Sequence, residues 1–436
     1  MIKTFQDHID SKLSFLKSSK LLLAISGGID SMVLTHLCYK TGLNIALAHC
    51  NFNLRGKESD ADEDFVLQLA EDLELEVFVE NFDTEAFAED EKLSIQMAAR
   101  MLRYLWFSEL TKQLNFDYIL TAHHADDNLE TFFINLSRGT GLDGLLGIPE
   151  VNNNIVRPLL PYSREDIENY AKEHKLKWRE DSSNSSTKYL RNKLRHDVIP
   201  ILKEINPHFL QNFAKTQTFL NDSKFIIEDK ITDVTNKVIK SIDAYTVVLN
   251  IEEIKKLSHP KAYLYELLKN FGFTEWHDVF NLLDAQSGKQ ILTNTHRLIK
   301  DRNSLLLSEI HADDSQTIHI SETDKIVETP FGVLVFEEAD AVLETPKTVI
   351  YVDKDLLKFP LTLRKWEEGD VFYPLGMTGK KKLSKYFKDE KFSLLDKENT
   401  WLLCSDDAIV WVINKRADNR FRVTDTTKHI LKVELK

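Results

Sequence analysis

Lys20–Tyr39 reads KLLLAISGGIDSMVLTHLCY. Leu21, Leu22, Leu23, Ala24 and Ile25 form a short unbroken apolar run, the pattern of a strand buried on both faces inside a parallel sheet. Ser26, Gly27, Gly28, Ile29, Asp30 and Ser31 follow at once, and Met32, Val33, Leu34, Leu37 and Cys38 then fall at helical spacing. Strand, glycine turn and helix bring free backbone N–H groups and the positive end of a helix dipole to one place, which suits an anion, phosphate above all. The two glycines let the backbone approach closely, and the Ser26 and Ser31 hydroxyls can add hydrogen bonds. A bare phosphate would repel Asp30, so its presence argues for magnesium bridging carboxylate and phosphates. No GxxxxGK[ST] spacing occurs, which excludes a Walker A loop. Ser-Gly-Gly is also a common turn sequence, so these six residues need support from the rest of the chain.

That support comes from two further strand ends. Asn44–His49 reads as a second apolar strand, running into His49-Cys50-Asn51-Phe52-Asn53-Leu54-Arg55. Glu76–Val79 and Tyr118–Ala122 read as the third and fourth strands, with helices over Ser59–Leu73 and Leu93–Leu114 between them. After the fourth strand comes His123-His124-Ala125-Asp126-Asp127-Asn128-Leu129-Glu130-Thr131, crossing into a helix N-terminus. One acid would suffice to cap that helix, yet the segment carries three acids and two histidines. Asp127 and Glu130 share a helix face, an arrangement suited to a metal or a cationic amine. A zinc site at the histidines lacks a third soft ligand nearby. Alternating strands and helices predict an α/β protein with a doubly wound parallel sheet and ligands at the strands' carboxyl ends. Gly139-Thr140-Gly141-Leu142-Asp143-Gly144 matches GxGxxG by letter but follows a helix, so it is no dinucleotide fingerprint.

The whole chain sets bounds on this reading. Its 436 residues exceed what one core usually supports, so two or three domains are expected. Hydrophobic content of 42% and charged content of 29% describe a soluble globular protein. With no membrane-length apolar run and no signal-peptide core, a cytoplasmic enzyme is the simplest inference. Cys38, Cys50 and Cys404 are far apart, which argues against a zinc site or disulfide framework. The net charge of −13 speaks against nucleic acid, but the basic residues cluster. Lys188, Arg191, Lys193 and Arg195 form one group, with Arg191 and Arg195 four apart on one face as phosphate recognition would want. Lys380, Lys381, Lys382, Lys385 and Lys388 form another, interleaved with Tyr386 and Phe387. Solvated helix faces are the ordinary explanation of such groups; contacts to RNA phosphates are the functional one.

The SGGIDS turn resembles the loop of the PP-loop ATP pyrophosphatase superfamily. HCNFNLR, AARMLRY at Ala98–Tyr104, HHADDNLET, RGTGLDGL at Arg138–Leu145, RPLL at Arg157–Leu160, EDSSN and RNKLRHDVIP narrow the resemblance to the tRNA(Ile)-lysidine synthetase family. One departure is Phe52, where that family often has a second histidine. The resemblance implies an adenine nucleotide alpha-hydrolase-like catalytic domain over residues 1–200. From about Ile201 the strand–helix alternation ceases, and residues 206–285 read as mainly helical within an α+β middle, tRNA-recognition domain over 201–312. The Asp313-Asp314-Ser315 break opens a strand-rich linking region over 313–352, while a small mixed α/β domain over 353–436 resembles the tRNA-binding module of longer family members.

It also implies the reaction, the ligation of free L-lysine to the wobble cytidine of isoleucine tRNA with a CAU anticodon. ATP and Mg2+ serve, and AMP and pyrophosphate leave. ATP binding then falls to Ser26, Gly27, Gly28, Ile29, Asp30, Ser31 and Arg103, with Asp30 on magnesium. Asp126, Asp127 and Glu130 are candidates for magnesium or the lysine ammonium, with Asp30 completing the catalytic set. Arg191, Arg195, Lys380, Lys381, Lys382 and Lys385 are candidates for tRNA. Three other readings carry less. A 2-thiocytidine synthetase would want cysteine pairs, an amidating ligase would not explain the basic C-terminal segment, and a non-catalytic descendant would be expected to lose Asp30 or HHADD. A homodimer is left open by the sequence.

Overall fold

The structure, a computed structural model, describes residues 1–179, 190–243, 245–310, 317–344 and 346–436. The EDSSN stretch, Lys188 and the Asp313-Asp314-Ser315 break lie outside the described residues. The chain divides into two compact units, Met1–Ile227 and Glu228–Lys436.

The first unit is built on β1 (Leu21–Ala24), β2 (Ile45–Asn51), β3 (Val77–Asn81), β4 (Tyr118–Leu120), β5 (Val151–Asn152) and β6 (Ile155–Val156), in sheet order β3-β2-β1-β4-β6-β5. All neighbours run parallel except β5 and β6, which form an antiparallel edge. The central position of β1 explains its unbroken apolar run. Leu21 and Leu23 face one core with α1 (Ile2–Lys12), α2 (Ile29–Lys40) and α8 (Arg164–Glu173), whereas Leu22 faces the other with Trp106 and Phe107 of α5 (Ile95–Leu114). All three leucines are fully buried, each contributing about 2 kcal/mol of transfer free energy. The chain goes from β1 outward through β2 and β3, then returns to β4 on the opposite side of β1. A crevice opens outside the carboxyl ends where the winding reverses. Two more helices matter there, α3 (Lys57–Asp72) after β2 and α6 (Ala125–Ser137) after β4, while α4 (Thr84–Asp90) and α7 (Leu142–Leu145) are short.

The unit does not end where strand–helix alternation stops. Helix Ile199–Ile205 and the first half of the long helix Phe209–Val238 belong to it, because Ile199 and Phe213 close a small core over Leu129 of α6. Gln217 Nε2 also donates to the Leu145 carbonyl at 2.8 Å. The expected boundary at residue 200 therefore lies inside a packed region. Loss of alternation marks a change of pattern, whereas the apolar face of Phe209 and Phe213 fixes which core the segment joins.

In the second unit, an antiparallel sheet carries Ile239–Ile242, Thr246–Asn250, Ser304–Glu309, His296–Asp301 and Gln290–Leu292 in that spatial order. Helices Pro260–Leu268 and Trp276–Asn281 pack on it through Leu264, Leu268 and Val279. The expected linking region is not a connector. Ile318–Ile320 pairs with Leu361–Lys365, while Gly332–Ala339 and Val349–Asp353 both pair with the last strand, Ile430–Leu435. Residues expected to bridge domains thus form strands within the C-terminal sheets. No described helix is long and apolar enough to cross a membrane.

Candidate active site

Three polar strand ends meet in one cleft of about 580 Å³ in the first unit. Ser26, Gly28, Asp30 and Ser31 line it after β1, His49 and Asn51 at the end of β2, and Thr121, His123 and Asp127 after β4. In the glycine turn, Gly27 has φ +79°, a left-handed conformation that disfavours any side chain, and Phe65 of α3 packs 3.4 Å from where a Cβ would sit. Gly28 is the residue before the first turn of α2, and the Ser31 hydroxyl donates to its carbonyl at 2.9 Å. The Ser26 hydroxyl lies 3.4 Å from both Gly28 N and Ser31 Oγ. The first-turn N–H groups of α2 are thereby left for a ligand. Ile29 contributes only main chain there, since its side chain is in the core.

Asp30 does not stand alone. Arg164 Nη1, from the first residue of α8, donates to both Asp30 oxygens at 2.8 Å. Burial raises the Asp30 carboxyl above its usual range, against the opposite pull of His124 and Arg164. Arg164 was missed by sequence reasoning although a signal existed. A cation in a helix's first turn opposes the dipole, so its presence there asks for nearby acids, and Asp30 and Glu168 supply them.

The three acids of the HHADD segment part company. Asp126 turns away to anchor other helices, accepting from Arg164 N at 2.8 Å and pairing with Lys203. Glu130, 1% exposed, is held by Arg195 Nε at 2.6 Å and Nη2 at 3.1 Å, and by Arg191 Nε at 3.2 Å. Asp127 lines the cleft, where Arg195 Nη2 reaches it at 3.0 Å. Arg191 and Arg195 do share a face, but that face meets these carboxylates, with Arg191 lining the cleft. Arg195 lies in a π-helical turn, Leu194–Val198, a geometry often found at functional sites.

Other groups complete the cleft. His49 Nδ1 lies 3.0 Å from the Ile25 carbonyl, which can only accept, so the neutral ring presents an unprotonated Nε2. Burial pushes the His123 imidazole down to about 4. Arg103 sits 5.2 Å over the Phe52 ring, so the departure at Phe52 replaces a polar side chain with a platform for a guanidinium. Cys50 is the cleft's one cysteine, and burial pushes its thiol up to about 12, while Cys38 and Cys404 are buried elsewhere.

For magnesium, the described residues include no group of three or more ligating side chains. However, Asp30 Oδ1 and Asp127 Oδ2 approach the same atom, His124 Nε2, at 3.8 and 3.4 Å. Two convergent carboxylates beside an anion-seeking turn fit magnesium, which takes its remaining ligands from water and phosphates.

The PP-loop domain family matches residues 1–202. Residues 242–310 match the TilS substrate binding domain and 361–434 the TilS substrate C-terminal domain. A tRNA(Ile)-lysidine synthase of Parabacteroides distasonis is 42% identical over 99% of both chains. The chain belongs to the tRNA(Ile)-lysidine synthase family. Proteins of the same name from Bacteroides thetaiotaomicron and Porphyromonas gingivalis are 38% and 35% identical, over 97% and 94% of this chain.

In this lysidine synthase family member, the C-terminal basic segment differs in detail from expectation. Tyr386 and Phe387 are buried in a core with Phe372, Leu383 and Leu402, so neither presents a ring to RNA. Lys381 pairs with Asp389 at 2.8 Å and is mostly covered. Lys380, Lys382, Lys385 and Lys388 are exposed.

Proposed function

We propose that this chain joins free lysine to the wobble cytidine of isoleucine tRNA bearing a CAU anticodon, through an adenylated cytidine. The observation that carries this reading is the single cleft in which an anion-seeking turn faces carboxylates and arginines already matched to charged partners. The end-to-end likeness to tRNA(Ile)-lysidine synthases supplies the substrates. In the first step the cytosine 2-carbonyl oxygen attacks the α-phosphorus of ATP, the new O–P bond forms and the bond to pyrophosphate breaks. In the second the lysine ε-nitrogen adds to the same ring carbon, the C–O bond breaks, AMP leaves and the nitrogen loses a proton. A carbonyl oxygen is a poor leaving group, and adenylation makes it a good one.

The α2 N-terminus with the Ser26 and Ser31 hydroxyls would hold the phosphates, with Gly27 and Gly28 permitting close approach. Arg103, steadied by Phe52, would add a contact to the nucleotide. Magnesium on Asp30 and Asp127 would neutralise charge on the departing pyrophosphate. Glu130 would aim Arg191 and Arg195, and Asp126 would brace the helices behind the cleft. The direct test incubates the protein with ATP, CAU-anticodon tRNA and each labelled amino acid in turn. Label should enter tRNA with lysine alone and only with ATP; equal or absent incorporation for lysine contradicts the reading.

The exposed lysines would serve tRNA affinity. Replacing Lys380, Lys382 and Lys385 together with Ala should weaken tRNA binding and flatten its salt dependence by about 0.7–0.9 slope unit per lost phosphate contact. Binding titrations over a salt series measure this, and an unchanged slope returns the cluster to solvent.

A further inference from the structure

We propose that Arg164 is the resting counter-ion of Asp30, occupying the carboxylate that the metal needs and passing to the polyphosphate when the metal arrives. This rests on the reading of Asp30 as a magnesium ligand. Three observations carry it. Arg164 Nη1 lies 2.8 Å from both Asp30 oxygens, so it covers the edge of the carboxylate that a cation would use. Its backbone is fixed, because Arg164 N donates to Asp126 at 2.8 Å, whereas its side chain is 40% exposed to solvent. Nη2 has no hydrogen-bond partner among the described residues, and Nε is kept by Glu168 at 2.9 Å, within reach of a second position.

The chemistry follows from charge. Asp30 is only 30% exposed, and a partly desolvated carboxylate gains from a cation beside it, which Arg164 supplies in the nucleotide-free site. A metal must displace that partner, which makes metal binding without nucleotide weak. Metal brought in with ATP comes with phosphate oxygens, and these offer the released guanidinium a bidentate acceptor. Arg164 would then position the pyrophosphate as it leaves, and the site would take the metal–nucleotide complex in preference to the free ion.

The test uses Arg164→Gln and Arg164→Lys in the full-length chain; the main-chain bond to Asp126 survives both. Mn2+ binding to nucleotide-free protein is followed by electron paramagnetic resonance. The expected result is Mn2+ binding roughly tenfold tighter in R164Q than in wild type, equivalent to about 1.4 kcal/mol. Pyrophosphate release at saturating Mg2+ should meanwhile fall by roughly ten- to a hundredfold, partly restored in R164K. A residue that only stabilised the fold would not tighten metal binding. Mn2+ affinity that is unchanged or weaker in R164Q overturns the proposal, as does tightening in R164K, which keeps the cation, equal to that in R164Q. Asp30→Asn separates the two claims, since Mn2+ binding unaffected by D30N refutes Asp30 as the metal ligand, whatever Arg164 does.

Discussion

Asp30→Ala is expected to reduce tRNA-dependent pyrophosphate release by about a thousandfold, a loss of roughly 4 kcal/mol of transition-state stabilisation. The fold should survive. Asp30 and its partner Arg164 have side chains that are 30% and 40% exposed, so their ion pair is partly solvated and contributes little to stability. Arg164, once released, keeps Glu168 and can turn toward water. The expected change in unfolding free energy is therefore below about 1 kcal/mol. Parallel measurement of pyrophosphate release and thermal melting checks both halves. Turnover within tenfold of wild type would remove Asp30 from the mechanism, and a large drop in melting temperature would make it structural.

Glu130→Ala should behave in the opposite way, with the largest stability cost of any single change considered. Glu130 is 1% exposed and holds two guanidiniums whose side chains remain 33% and 43% exposed. Removing one partner of a buried ion pair typically costs ~3–5 kcal/mol, and partial exposure of the arginines places this case at about 3 kcal/mol. For a unit of this size that corresponds to a melting-temperature drop of roughly 6–12 °C. Arg191 would lose its aim into the cleft, so lysine incorporation should fall as well. The comparison that isolates the cause is Glu168→Gln. Its ion pair with Arg164 joins residues that are 40% and 41% exposed, four apart on one helix, and contributes only about 0.3–0.5 kcal/mol. Equal melting temperatures for E130A and wild type would contradict the role assigned to Glu130.

The sequence carried the sheet and its crevice because their signals are local. An unbroken apolar run implies a strand buried on both faces, and Leu21–Leu23 divide between two cores as that requires. Three polar clusters at strand ends, Ser26–Ser31, His49–Arg55 and His123–Glu130, implied one site. Members of all three line one cleft, Asp30, His49, Arg55, His123 and Asp127 among them, whereas Asp126 and Glu130 do not. What local pattern cannot carry is pairing across the chain. Asp126, Asp127 and Glu130 look equivalent in sequence, yet they separate because Lys203, Arg195 and Arg191 arrive from segments more than sixty residues away. Arg164 reaches Asp30 across 134 residues. Strands Ile318–Ile320, Gly332–Ala339 and Val349–Asp353 read as a linker because Leu361–Lys365 and Ile430–Leu435, with which they pair, come later in the chain. Tyr386 and Phe387 show the same limit, since aromatic residues among lysines fit an RNA face and a core equally well until packing is known.

The central claim is that one cleft adenylates a tRNA base and then exchanges the adenylate for an amine. It is tested most directly by incubating the protein with CAU-anticodon isoleucine tRNA and ATP labelled at the α-phosphate, without lysine, and then adding lysine. The account predicts that label enters the tRNA, is discharged as AMP when lysine is added, and fails to enter when the label is on the γ-phosphate or Asp30 is Ala. A tRNA that takes up no α-label, or keeps it after lysine is added, would contradict the account.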